Sequence, residues 1–597
     1  MKRKNSRNDV CSDENIGFGC SHIISSSTAV TGVAPLIYND NNIVLVCESK
    51  LDNADELYEL LDLHGKPIEK VSDIEYFTGA YYKWGEDCSV RILGEWSFAV
   101  WDKRYKKIFL SRDHHGNTGM YYYFGKEKFI FATTISSILP FGSLKKVIDR
   151  QYLAEILVNM AGHNDNTSYA DIKRLLPAHS LVLSNGQIKT GRYWFPENTP
   201  KLEYRNNQEY IEAFNEKFQI AVHRKTNGQR KVGCALSGGL DSGSVAVTAR
   251  RVLMHSGRKL VAYTATPAFN AENYLKKYQI ADEKKLVGEI GRMYPDIELR
   301  FVKNDYLSPV QAINKMLEIH GEPRHAVGNY SWLASILDYA AKDDVTAILT
   351  GQGGNGTVSR PTGEFLKYNK KSGILVNKYG LYPYIFSIFH KIFFISSPVS
   401  TKMLVDAYYL NPEIIRKYKL EKRFLENAGN KFKTRTDSFN SRLRQMQIGK
   451  ALVGATWNEL GIHYGIDVFD PTVDKELIEF CISIPEDMFY NHKGSRLLIR
   501  NSMNGALPDS VLYSDKTGIQ SGDIMFHIAR NKDEIYELLD KVARSDMVKE
   551  FIDIKKLSAT YNRIISGKHW KTGTVMQCRK FLKTLAVSAF LYNLKQQ

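Results

Sequence analysis

Paired cysteines are missing from this sequence. Its seven cysteines, Cys11, Cys20, Cys47, Cys88, Cys234, Cys481 and Cys578, form no CxxC pair, so neither a zinc ribbon nor a disulfide scaffold is expected. Scattered thiols in a chain this large read as reduced ones in a cytoplasmic protein. The basic start, MKRKNSRNDVCSDENIG, is not followed by an apolar stretch, so no export signal is expected. No transmembrane segment is expected either. The apolar stretch that comes nearest, LYPYIFSIFHKIFFISS at residues 381–397, carries Pro383, His390 and Lys391 and is shorter than the ~20 residues a spanning helix needs. It reads as a buried or partner-facing helix. Acidic charge is in deficit: 65 Asp and Glu face 81 Lys and Arg, leaving +16. That excess favours anionic partners such as nucleotides, acidic peptides or a membrane surface, and the basic residues, scattered in short runs, do not choose among them. With no RNA-binding module and no concentrated basic face, nucleic acid is not an expected partner.

What is present is an ordinary globular mixture, 43% hydrophobic and 24% charged over 597 residues, enough for at least two cores. Up to about residue 195 the chain is rich in short alternating runs: residues 43–49, 89–102, 107–113 and 128–134 all read as strands, with NADELYELLDLHG helical between them. HSLVLSNGQIKTGRYWFP reads as a hairpin around Asn185 and Gly186, leaving through Pro196. This predicts a layered α/β domain over residues 1–196, a polar linker, and a second domain over residues 209–597. In the second domain strands at 232–236, 259–266 and 344–351 alternate with helical segments, which predicts a parallel, doubly wound sheet with a helical C-terminal part.

The strongest chemical signal is SGGLDSGS, residues 237–244. A buried strand ending at Leu236 delivers Gly238 and Gly239 to the mouth of a helix, where unpaired backbone N–H groups hold phosphate. The hydroxyls of Ser237, Ser242 and Ser244 add donors, and Asp241 places a carboxylate where a phosphate-bound Mg²⁺ would sit. No GK[ST] ends the loop, so the Walker pattern is excluded; the motif resembles the PP-motif of ATP pyrophosphatases, which cleave ATP between its α and β phosphates. A second glycine-rich loop, TGQGGNGTVS at 350–359, ends another strand of the same sheet. In this architecture Thr350, Gly351 and Gln352 face the same nucleotide.

Taken in order, GEWSFAVWD, SRDHHGNTGMYYYF, FATTISSIL, SGGLDS, TGQGGNGTVS, VFDPTVDKELIEFCISIP and LPDSVLYSDKTGIQSGD resemble the landmarks of the asparagine synthetase family along nearly the whole chain. The resemblance implies a front domain of the Ntn-hydrolase kind, a PP-loop synthetase domain behind it, and ATP with Mg²⁺. It also implies a second Mg²⁺ ligand at Asn355, where the family has an aspartate, and a charge-neutralising lysine at Lys516 on the loop that closes over ATP. Glu322 is a candidate base for the attacking amine. The departures point to function. A working glutaminase of this family has cysteine directly after the initiator Met, its free α-amine acting as base; here residue 2 is Lys2. Where the family has an Asn-Gly pair that binds glutamine, the matching positions are Glu48 and Ser49. Gln352 stands where β-lactam synthetases have a catalytic tyrosine. The front domain is therefore expected to be a degenerate glutaminase, and the chain to resemble lasso peptide macrolactam synthetases most, a branch with a similar Leu-Asp-Asn run, here residues 51–53. That resemblance implies a precursor peptide as substrate, with a leader peptidase and a leader-binding protein as partners. An ammonia-dependent asparagine synthetase, a small-molecule amide ligase and a non-catalytic leader-binding scaffold stay open.

Overall fold

The computed structural model describes residues 6–13, 15–23, 36–38, 42–142, 144–161, 164–324, 326–359, 366–369, 374–377, 408–423, 451–491 and 494–595. The apolar stretch 381–397 and most of the aromatic and basic region 363–433 lie outside these residues. Among the described residues no helix is long and apolar enough to cross a membrane, and all seven cysteines are free thiols.

The front of the chain builds a six-stranded antiparallel sheet in the order Gln187–Arg192, His179–Ser184, Lys107–Arg112, Gly94–Asp102, Ile43–Leu51, Leu36–Tyr38. Both faces of it are covered, which is why Ile43 to Val46 read as unbroken apolar sequence. Ile43 and Leu45 pack with Phe77, Trp96 and Phe98, under the helix Asp73–Trp84 that starts on a Ser72–Glu75 capping box. Val44 and Val46 pack with Met120, Tyr122 and Leu181, beneath a second sheet of Phe129–Ala132, Tyr121–Phe124 and Ile172–Arg174. The hairpin turns at Asn185 and Gly186, both with positive φ (51° and 71°), the geometry a type I′ turn requires. One expectation is corrected: the strand read from residue 89 begins only at Gly94. Cys88–Arg91 instead form a helical turn. Gly94 lies at φ +130°, and a Cβ there would stand 2.1 Å from the Lys50 carbonyl oxygen, so the chain enters the sheet through a position only glycine fills.

Behind it lies a five-stranded, all-parallel sheet in the order Glu298–Lys303, Leu260–Thr266, Val232–Ala235, Ala347–Leu349, Asp467–Phe469. The chain enters at the centre, builds outward on one side, then crosses back to build the other side. The reversal therefore falls between Val232–Ala235 and Ala347–Leu349. In doubly wound sheets the ligand crevice opens at the carboxyl ends of such a pair. Helices cover both faces. On one, Val245, Ala249 and Leu253 of the helix Leu240–Met254 meet Val232 and Leu260; on the other, Leu333 and Leu337 of Tyr330–Lys342 meet Tyr263 and Ile348. The C-terminal part is helical, ending in Thr574–Lys595.

The two halves are joined by buried and half-buried polar contacts. Lys225, 4% exposed, sits 2.7 Å from Asp52 and 3.4 Å from Glu95. Lys50 pairs with Asp467 at 2.8 Å, and Asn458 donates a short hydrogen bond to Glu48. In a low-dielectric seam such contacts fix one relative placement, since separating them strands charges away from partners.

Candidate active site

The strand Val232–Ala235 and the helix Leu240–Met254 frame the first glycine loop. Leu236 is still tied to the sheet, its amide donating to Tyr263 O (2.9 Å) and its carbonyl accepting from Thr264 Oγ1 (2.8 Å). The chain then turns around two hydroxyls. Ser242 Oγ accepts from the Ser237 amide (3.1 Å) and lies 2.8 Å from Ser237 Oγ. Ser237 Oγ in turn accepts from the Gly239 amide at 3.2 Å. Ser244, read from the sequence as a further phosphate donor, is corrected: it is fully buried, and its hydroxyl donates to Leu240 O (2.7 Å) within its own helix.

The second loop lies directly against the first. A Cβ on Gly351 would stand 2.9 Å from Asp241 C and Ser242 N, and one on Gly354 would stand 2.5 Å from Asp241 Cγ. Both glycines thus allow the backbones to touch around the Asp241 carboxyl group. Thr350 anchors this loop by donating its amide to Phe469 O (2.8 Å), and Asp470 Oδ2 accepts from the Gly353 amide at 2.5 Å. Gln352 and Asn355 are exposed, Asn355 in the turn Gly354–Gly356 next to Asp241. Asp470 is a supporting residue that the sequence reading quoted within VFDPTVD without giving it a role.

Lys516 arrives from the far end of the chain. Its Nζ donates to Lys277 O (2.8 Å), and the adjacent Thr517–Gly518 pairs in parallel with Gln279–Ile280. Gly518 in turn lies against Glu283, whose Oε1 accepts from the Gly238 amide at 3.1 Å. The lysine loop is thereby brought to the first glycine loop through Glu283. Burial, reinforced by Asp282 and opposed by the Gly238 amide, raises the Glu283 carboxyl to about 7. Nothing in the run Asp282-Glu283-Lys284-Lys285 marked that residue, which reads as a solvated helix start.

Glu322 is placed elsewhere. It is fully buried between the halves, where its Oε2 accepts from the Ser168 amide at 2.9 Å and its Oε1 lies 2.9 Å from Arg324 and 3.4 Å from Arg174. Arg324 also reaches Glu459 (3.2 Å) and Tyr121 (3.0 Å). Burial pushes the Glu459 carboxyl up, but Arg324 and His320 outweigh it and hold it below its ordinary range. With the Glu322 oxygens turned to two guanidinium groups and an amide inside the seam, its geometry is that of a structural ion pair.

The metal-binding expectation fits in one form. Among the described residues no group of three or more His, Cys, Asp or Glu gathers to hold an ion. Asp241 supplies one carboxylate beside the phosphate loop, and Mg²⁺ is commonly held by one or two carboxylates together with substrate phosphates. Asn355 adds a neutral amide oxygen at most.

A cavity runs from the second loop toward the front half and adjoins a smaller one there. The larger, about 80 Å³, is lined by Thr350, Gln352, Gly353, Trp457 and Val468 on one side and by His115 and Asn117 of the front half on the other. It shares His115, Asn117, Asp470 and Val473 with a smaller chamber lined by Asp52, Glu95, His114 and Lys225. In the front half Cys20, on the strand Ile16–Ile23, packs partly buried against the apolar core. Its thiol is pushed up to about 11 by burial and by Glu48 and Asp9, whereas reactive cysteines have depressed values. Cys20→Ser is therefore expected to leave ATP-dependent pyrophosphate release unchanged. Alkylation of Cys20 by iodoacetamide should be negligible at neutral pH and rise as pH approaches about 11; rapid labelling at neutral pH would contradict this.

Residues 3–194 match the family model of a glutamine amidotransferase domain, and residues 213–586 match that of asparagine synthase. The glutamine-hydrolyzing asparagine synthetase 3 of Bacillus subtilis strain 168 is 24% identical over 495 residues, covering 80% of this chain and 76% of that protein. The glutamine-hydrolyzing asparagine synthetase 2 of the same strain is 30% identical over 245 residues, covering 39% of this chain and 32% of that protein.

Proposed function

This chain belongs to the asparagine synthase family and is an ATP-dependent carbon–nitrogen ligase, and from that premise we propose that it is an amide synthetase whose amine arrives with its own substrate rather than from glutamine. The observation that carries this reading is the fate of the front domain's former glutamine face. Glu48 accepts from Asn458 of the synthetase half, and nearby Lys50 pairs with Asp467. Of the two positions that would hold glutamine, Glu48 instead ties the front half to the synthetase half, and Ser49 donates its hydroxyl to Asp73 within the front half (2.9 Å). In the Leu-Asp-Asn run Asp52 likewise crosses to Lys225 of the synthetase half, while Asn53 braces the front half itself, donating to Arg91 O and accepting from the Leu93 amide, both at 2.9 Å.

The chemistry follows from the loops. ATP lies across Leu236, Ser237, Gly238, Gly239, Asp241 and Ser242 and against Thr350, Gly351 and Gln352, its phosphates taking the amides at the helix start. The Asp241 carboxylate would hold Mg²⁺, which would supply charge neutralisation for the phosphates. A substrate carboxylate oxygen attacks the α-phosphorus and pyrophosphate leaves, giving an acyl-adenylate. The Lys516 ammonium stabilises the charge that builds on the phosphate oxygens and the departing pyrophosphate. The substrate amine then attacks the acyl carbon, AMP leaves, and the amine's proton passes to solvent. The small cleft lined by Gln352, Trp457, His115 and Asn117 adjoins the second loop on the side of the front half.

The finer reading is closure of a macrolactam: the N-terminal amine of a precursor peptide joined to one of its Asp or Glu side chains, as in lasso peptide cyclases, with a leader peptidase and a leader-binding protein supplying the processed substrate. The test is AMP and pyrophosphate release from Mg·ATP with aspartate and either ammonium or glutamine as acceptors. No release above background is expected. Robust aspartate-dependent release would make the protein an asparagine synthetase, and glutamine use would restore a working front domain.

A further inference from the structure

Glu283 has no role in the chemistry above, yet it touches both the first glycine loop and the lysine loop. It immediately precedes the helix Lys284–Met293, and its Oε1 accepts from the Gly238 amide at 3.1 Å. That amide is one of the donors a glycine loop at a helix start presents to phosphate. The same carboxylate packs against Gly518: a Cβ there would stand 2.4 Å from Oε1, 2.8 Å from Cδ and 3.2 Å from Oε2. Any residue but glycine at 518 would force the carboxylate or the loop aside. Around this contact the lysine loop is zipped to the segment preceding Glu283. Thr517 N donates to Tyr278 O and Ile519 N to Ile280 O, both at 2.8 Å, and Lys516 Nζ is occupied by Lys277 O.

The arrangement places an anion where the ligand's anion belongs. A phosphate oxygen bonded to the Gly238 amide would meet Oε1, and two negative groups cannot share one donor in a partly buried site without strong repulsion. Lys516, in turn, spends its ammonium on a backbone carbonyl while the loop is zipped.

We infer that Glu283 is an internal competitor for the phosphate site: without nucleotide its carboxylate takes a phosphate's place at Gly238 and, through Gly518, keeps the Lys516 loop docked, so that arriving phosphates displace it and release the lysine. This rests on the reading of the same loop as the ATP site. The elevated protonation range of Glu283 fits a carboxyl group whose seat offers one amide and no cation.

The test is calorimetric titration of Mg·ATP, and separately of inorganic pyrophosphate, into the full-length wild type, Glu283→Gln and Glu283→Ala. Removing a charged hydrogen-bonding competitor is expected to tighten both ligands by about tenfold in the alanine variant. The glutamine variant should fall between, because its neutral amide oxygen still accepts from Gly238. Without nucleotide, backbone amides of residues 514–520 should exchange faster with deuterium in the alanine variant than in the wild type. If wild type binds ATP and neither variant binds it more tightly, the competitor role is overturned; weaker binding would make Glu283 a ligand of the nucleotide or of its metal. If none of the three proteins binds ATP or pyrophosphate, the ATP reading itself fails and takes this inference with it.

Discussion

Replacing Lys516 by alanine is expected to lower AMP and pyrophosphate release by about 10²–10³-fold, the usual loss when one charge-stabilising donor is removed from a transition state, with no change in melting temperature. Lys516 is exposed, and its ammonium bonds a backbone carbonyl at the protein surface. Exposed contacts of this kind contribute little to folding. The activity loss therefore has to come from the reaction, where charge accumulates on the α-phosphate and the departing pyrophosphate. Asp241→Ala should lose activity on a similar scale by a different route: it removes the one carboxylate held between the two glycine loops, against Gly354. The two variants separate in binding. Asp241→Ala should weaken Mg·ATP binding, whereas Lys516→Ala should leave it near the wild-type value. Near-normal turnover in Lys516→Ala would remove the lysine from the mechanism.

Glu322→Ala is expected to do the reverse, costing about 3–5 kcal/mol of stability because it strands buried guanidinium groups without their carboxylate. Arg174 and Arg324 are each 3% exposed, and both face Glu322. The penalty should appear as a clearly lower melting temperature. Glu322→Gln, which keeps the shape and the acceptor for the Ser168 amide, should lose less. Per folded molecule, turnover of the glutamine variant should stay close to wild type. An unchanged melting temperature with collapsed turnover would reinstate Glu322 as the base and overturn its assignment to the seam.

The contrast between Asp241 and Glu322 shows what could be read in the sequence. The placement of Asp241 was legible because it is set locally: a buried strand, two glycines and a helix start lie within a dozen residues, and each shapes the backbone by its own chemistry. The same holds for the Asn185–Gly186 hairpin. Glu322 was not legible, because its partners Ser168 and Arg174 come from distant positions in the front half, and a carboxylate beside a histidine and an arginine reads equally well as a base or an ion pair. Two strands of the parallel sheet also escaped. Glu298–Lys303 has three charged residues in six because it lies at the sheet's edge, and Asp467–Phe469 is too short to show any periodicity. Glu283 escaped for the same reason as Glu322: its meaning depends on Gly238 and Gly518, which only the folded chain brings to it.

The central claim, an AMP-forming ligase whose amine comes with its substrate, is tested most directly on a peptide with a free N-terminus and an internal Asp or Glu, incubated with Mg·ATP. The account predicts AMP and pyrophosphate in equal amounts, matched by a peptide product that has lost one water and no longer has a free N-terminal amine. Release of ADP and inorganic phosphate, or an amide formed only when ammonium or glutamine is added, would contradict it.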